Sequence, residues 1–129
     1  MYNPVDLNKK KADSLVIHCA DPRFQAAFRS VTGGLEIYYD LLAVPGASKA
    51  VVNNPSIIDY IKLLASFHHF ETIHVLDHVE CGAFGPVNDE LSEHAKMLAE
   101  AAREINKVMP KLTVVPHLLG ETHELTVEV

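Results

Sequence analysis

Two short segments of this 129-residue chain carry its densest chemistry, Cys19-Ala20-Asp21-Pro22-Arg23 and His78-Val79-Glu80-Cys81-Gly82. They hold both of the chain's cysteines, and His78 stands three residues before the second. Two thiolates and one imidazole supply three ligands of a tetrahedral zinc site, and a three-ligand site keeps a position open for water or substrate. Either cysteine by itself reads as a buried apolar thiol. Their placement at equivalent ends of two apolar runs, with His78 beside the second, is what points to a metal. A sulfur-rich donor set favours zinc.

Asp21 and Arg23 form a second layer of candidates. A carboxylate beside such a metal can accept a hydrogen bond from bound water or hydroxide and orient it, while Arg23 holds the carboxylate ionised and in place. The Asp21-Pro22 pair is equally a helix cap followed by a first-turn proline, and spacing does not separate the two roles. Gly82 and Gly85, flanking Phe84, either let backbone N–H groups approach a bound anion or make an ordinary turn. Val44-Pro45-Gly46-Ala47-Ser48 has the same two readings, pocket wall or turn. His117 is a candidate fourth ligand or proton shuttle. Phe24, Phe28 and Phe84 are candidates to line a dry pocket, or plain core.

The elements that must position these residues alternate between strand and helix. Leu15 to Cys19 is an apolar run, followed by a short helix from Pro22 to about Arg29 that Thr32-Gly33-Gly34 breaks. Leu41 to Val44 is a second strand, closed by Pro45-Gly46. Asn54-Pro55 starts a helix that ends near His69, with Ile57, Ile58, Ile61, Leu64 and Ala65 at helical spacing. Thr72 to Asp77 is a third strand. Asn88 or Asp89 caps a long helix to Val108, with Leu91, Ala95, Leu98, Ala99, Ala102 and Ile105 inward. Leu112 to Leu119 is a fourth strand, and Leu125 to Val129 alternates like a half-exposed final strand that could return as an antiparallel hairpin. The pattern predicts an α/β fold: a mostly parallel sheet of about four strands flanked by helices, with an antiparallel C-terminal edge strand. Ligands of such sheets sit beyond the carboxyl ends of strands, where the strand order reverses. The two motifs meet there if the first and third strands are neighbours.

Composition narrows the function classes. The length fits one domain, residues 1–129, with a single core. The formal net charge is −6, and the only basic cluster is Lys9-Lys10-Lys11. That argues against a nucleic-acid partner, which requires a broad basic face. No apolar stretch is long enough to span a bilayer, and the N-terminal segment lacks the apolar core of a secretory signal. A cytoplasmic location is expected, where two cysteines are metal ligands or free thiols rather than a disulfide.

The Cys-x-Asp-x-Arg and His-x-x-Cys-Gly motifs, in this order and separated by a strand and a helix, resemble those of the β-class carbonic anhydrases over roughly residues 15–119. The resemblance implies Cys19, His78 and Cys81 as zinc ligands and an Asp21–Arg23 catalytic dyad. It also implies carbon dioxide and bicarbonate as small-molecule substrates of a zinc-bound hydroxide, and assembly into homodimers or larger homo-oligomers. It extends to hydrolases of carbon disulfide and carbonyl sulfide with the same ligands. A fourth protein ligand, Asp21 or His117, would instead make a non-catalytic zinc protein of the same fold. The chain departs from the family in three places. Only about fourteen residues precede the first strand, where the family carries a helical arm. The single glutamine, Gln25, follows the first motif rather than preceding it. Val44-Pro45-Gly46-Ala47 replaces the family's Arg-Asn-Ala-Gly.

Overall fold

A computed structural model describes residues 2–129. The elements run β1 (Ser14–His18), α1 (Gln25–Gly34), β2 (Tyr39–Ala43), α2 (Ser48–Asn53), α3 (Pro55–His68), β3 (Thr72–His78), α4 (Glu90–Val108), β4 (Thr113–Leu119) and β5 (Glu124–Leu125). The strands form one sheet in the order β2-β1-β3-β4-β5, parallel except for the antiparallel pairing of β5 with β4. The chain moves from β1 to one side for β2 and to the other side for β3. The strand order therefore reverses between β1 and β3, and the expected neighbours are neighbours.

The sheet's two faces carry different loads because side chains alternate along a strand. Leu15, Ile17, Ile73 and Val75 face the main core with Val51, Ile57, Ile61, Leu98, Ala101 and Ile105 of α2, α3 and α4. Val16, Leu76 and Leu119 face the other way, with Phe28 of α1, Cys19 and Cys81. Both β1 and β3 are buried almost throughout, which explains why they read as apolar runs rather than as alternating strands.

Several elements differ from expectation. The first helix begins at Gln25 rather than Pro22 and runs through Gly33 and Gly34. Buried Thr32 donates from Oγ1 to the Phe28 carbonyl, 3.1 Å, so the polar residue serves the helix instead of ending it. The helix α2 is an addition to the expected pattern: Pro45-Gly46 signals a turn immediately before it, and it has only six residues. Asp89 caps α4 as expected, accepting from Ser92 N. The buried stripe of α4 is His94, Leu98, Ala101 and Ile105, however, with Leu91 exposed. His94, outside the expected inner face, is fully buried. The final strand is only Glu124–Leu125.

His117 lies inside β4, away from the two motifs. Its Nδ1–H donates to Glu124 Oε1 at 2.7 Å, and its Nε2 accepts from His74 Nδ1 at 3.0 Å. This chain of groups stitches β3, β4 and β5 together. Burial lowers the pKa of His74 below the ordinary 6.5, His117 lowers it further, and Glu124 opposes both. Below that value the unfolded chain takes up a proton that the folded chain resists, so stability should fall as pH falls through this range. In urea titrations between about pH 7 and about pH 5.5, His74→Leu should lose stability less steeply than the parent chain; equal slopes would show that His74 contributes nothing to acid sensitivity.

Candidate metal centre

Cys19 follows β1 directly, and His78 is the last residue of β3. Register brings His18 opposite Leu76, so both motifs leave the sheet at nearly the same level on its carboxyl edge. The turn after β3 then returns Cys81 to the same point. Glu80 takes a positive φ of 52° in that turn, and its N–H donates to the Glu90 carboxylate at the start of α4.

One ligand atom from each of Cys19, His78 and Cys81 lies within 4.8 Å of the others, and all three side chains are buried. The two Sγ atoms are 3.9 Å apart. A tetrahedral ion with two metal–sulfur bonds of about 2.3 Å sets its sulfurs about 3.8 Å apart, so the spacing suits one shared cation. His78 Nδ1 donates to the Val79 carbonyl at 2.7 Å. That bond fixes the tautomer and leaves the Nε2 lone pair free, and Nε2 is buried with no hydrogen-bond partner. A partnerless ring nitrogen within 4.8 Å of two thiols is a donor set that could hold a metal ion. Burial, with a smaller contribution from nearby Cys19, pushes the Cys81 thiol up to about 11.

Asp21 lies at the rim of this cluster, its Oδ2 3.8 Å from His78 Nε2. Both of its oxygens are engaged by Arg23. Oδ1 accepts from the Arg23 backbone N–H at 2.8 Å, Oδ2 accepts from Nη2 at 2.8 Å, and Nε lies 3.2 Å from each. Those hydrogen bonds hold the Asp21 carboxyl down at about 2. Arg23 also donates from Nη2 to the Glu80 carbonyl, 2.9 Å, which ties the first motif to the second. Asp21 therefore makes a local turn with Arg23 and does not cap α1, whose N-cap is Phe24.

Phe24 stacks on His78 at 4.3 Å between ring centroids, and Phe28 stacks on His18 at 4.2 Å. Phe84 lies against His94 at 4.1 Å, and all three phenylalanines pack in the apolar cluster that holds Cys19 and Cys81. A cleft of about 230 Å³ between α1 and the β4–β5 hairpin includes Ala27, Val31, Leu119 and His123 in its lining and none of the three ligands. Gln25 and the Val44–Ser48 segment, which the sequence offers as pocket wall or turn, complete the surroundings. Gln25 Nε2 donates to the carbonyls of Cys19 and Asp21, at 3.1 and 2.8 Å, and the Gly46 N–H points at Cys19 Sγ, 3.5 Å away. Neither contact was visible locally: one is from a helix residue reaching backward, the other from a turn on a different strand. His117, held by His74 and Glu124, is not among the converging groups.

A protein family described as "Putative carbonic anhydrase" matches residues 9–128. Two uncharacterized proteins, of Rickettsia bellii (strain RML369-C) and Rickettsia conorii (strain ATCC VR-613 / Malish 7), are each 32% identical across alignments of 127 residues. Each alignment covers 85% of this chain, with 77% of the first relative and 68% of the second. Among solved structures, a carbonic anhydrase from Streptococcus mutans matches with a TM-score of 0.67 at 14% identity, covering 98% of this chain and 88% of that one. At that identity the likeness speaks for the fold alone.

Metal analysis after dialysis from excess zinc should find one ion per chain, with Cys19→Ser, His78→Ala and Cys81→Ser each reduced to background. A variant that keeps a full equivalent would remove its residue from the ligand set.

Proposed function

The chain belongs to the carbonic anhydrase family, and from that premise we propose that it hydrates carbon dioxide reversibly to bicarbonate at a zinc ion held by Cys19, His78 and Cys81. One observation carries this: two thiols and an orphaned imidazole nitrogen converge beside a carboxylate that an arginine already holds in place. Zinc, when bound, supplies a Lewis acid that makes hydroxide available from water near neutral pH.

The remaining work falls to the chain's own side chains. Asp21 accepts a hydrogen bond from the nucleophile and so directs its lone pair at the carbon of carbon dioxide. Arg23 fixes Asp21 in the orientation that does this, and the grip is bidentate rather than a single contact. Phe24, flat against His78, excludes water from one side of the ring. Addition of hydroxide to carbon dioxide gives bicarbonate and releases no proton; the proton given up when the next water is converted to hydroxide leaves toward the exposed side marked by Arg23, whose side chain is 57% exposed.

Residues 1–129 form one domain of a cytoplasmic protein, where reducing conditions keep Cys19 and Cys81 from pairing as a disulfide. The chain self-associates into a homodimer or larger assembly. Exposed Leu41 on the edge strand β2 and exposed Tyr60, Leu63 and Phe67 along α3 support that part.

Stopped-flow hydration of carbon dioxide by zinc-loaded protein should exceed that of Cys81→Ser by orders of magnitude. Asp21→Asn should lose about 10²-fold in rate, the scale of a positioned proton-handling group, while retaining its zinc. Equal slow rates for parent and Cys81→Ser would end the proposal, and sulfide release from carbon disulfide or carbonyl sulfide without carbon dioxide hydration would transfer it to those substrates. Light scattering should give the mass of a dimer or larger; a monomer at all concentrations would remove the assembly from the proposal.

A further inference from the structure

On the opposite face of β3 from His78, the preceding residue carries a second buried polar cluster. Asp77 is 2% exposed, and Ser48 and His94 are fully buried. The Asp77 carboxylate accepts three hydrogen bonds: from Ser48 N at 3.0 Å, from Ser48 Oγ at 2.6 Å and from His94 Nδ1 at 2.8 Å. His94 Nε2 has no partner. A fully desolvated carboxylate and imidazole are costly to bury, and replacing them with apolar groups would often be neutral or better for stability. Their presence calls for a role other than holding α2 and α4 to the sheet.

Both helices that meet at Asp77 touch the metal ligands' loops. Ser48 opens α2, and Gly46, two residues before it, aims its N–H at Cys19 Sγ. Val44 to Ala47 is a tight turn closed by Ala47 N donating to the Val44 carbonyl at 3.1 Å, with Gly46 at φ +85°. A Cβ at Gly46 would stand 2.9 Å from Ala83 Cβ, so this turn lies directly against the segment after Cys81. Ala47 follows at φ 42° and ψ −94°, a conformation that survives in a residue with a Cβ only where the surroundings enforce it. The next residue, Ser48, is anchored by its two bonds to Asp77. Lys49, next in α2, donates to the Ala83 carbonyl at 3.0 Å. On the α4 side, the His94 ring packs against Phe84, whose N–H in turn donates to the Cys81 carbonyl at 3.1 Å.

We propose that Asp77 is a positioning residue for the metal centre, acting through Ser48 to hold the Gly46 N–H on Cys19 Sγ and through His94 to hold Phe84 and the Cys81 loop. This rests on the metal site put forward above and adds to it a support on the far side of the sheet. Hydrogen bonds to a ligating sulfur and groups that orient ligands tune metal affinity and the electronic character of the metal–thiolate bond.

The test uses Ser48→Ala, Asp77→Asn and His94→Gln in the full chain, each loaded with cobalt(II) as a spectroscopic probe and separately competed for zinc by a chelator. Relative to the parent, zinc affinity should fall about 10- to 100-fold. The thiolate-to-cobalt charge-transfer band should shift in Ser48→Ala and Asp77→Asn, a readout that simple loss of helix docking would not produce. Ser48→Ala removes only a hydroxyl, so it carries the test if Asp77→Asn does not fold. A folded Ser48→Ala with the parent's zinc affinity and cobalt spectrum would overturn the positioning role while leaving the metal site intact. A parent chain that binds no zinc would sink the metal site itself. Zinc binding without carbon dioxide hydration would count against the catalysis alone.

Discussion

Parallel pairing of β1 with β3, from Ser14 against Thr72 to His18 against Leu76, is the constraint from which the candidate site follows. Two residues 62 positions apart, Cys19 and Cys81, approach within 3.9 Å only because their strands lie side by side in that register. The pairing is enforced on both faces. Leu15 and Ile17 with Ile73 and Val75 must be buried under α2, α3 and α4, while Val16 and Leu76 must be buried with Phe28 of α1. A slip by one residue would turn each set to the wrong face, and it would also part the sulfurs.

Polar groups at the carboxyl edge of the sheet are arranged around this point on both sides. Toward α1, backbone carbonyls set the rings: His18 donates to the Cys19 carbonyl at 2.8 Å, and His78 donates to that of Val79. Arg23 spans from Asp21 to the Glu80 carbonyl and so joins the two loops that supply the ligands. Toward α2 and α4, Asp77 gathers Ser48 and His94. Adjacent residues of one strand, Asp77 and His78, thus serve opposite faces by simple alternation, one within a hydrogen-bonded cluster and the other with its ring nitrogen directed at the thiols.

Much of the site was legible before any fold was known. The types and spacing of Cys19, His78 and Cys81 picked out three residues that converge in the fold, and the apolar runs before them named strand ends. The role of Asp21 was not legible, since an aspartate before a proline serves a cap or a metal equally well; the structure removes the cap, which falls to Phe24, and pairs Asp21 with Arg23. The inner face of α4 was misread because hydropathy treats a histidine as polar, whereas Asp77 gives His94 a buried partner. The helix α2 escaped notice because it has six residues and starts after an unusual backbone step at Ala47.

The sequence by itself determined which atoms can bind a soft cation, and it determined an alternating α/β chain, because donor chemistry and hydrophobic period are both local properties. Only tertiary structure decided that His117 is taken up by His74 and Glu124 rather than standing beside the thiols, and that a glycine N–H from the next strand's turn reaches Cys19. Those outcomes depend on strand order and register, which bring together residues far apart in the chain and which no local spacing encodes.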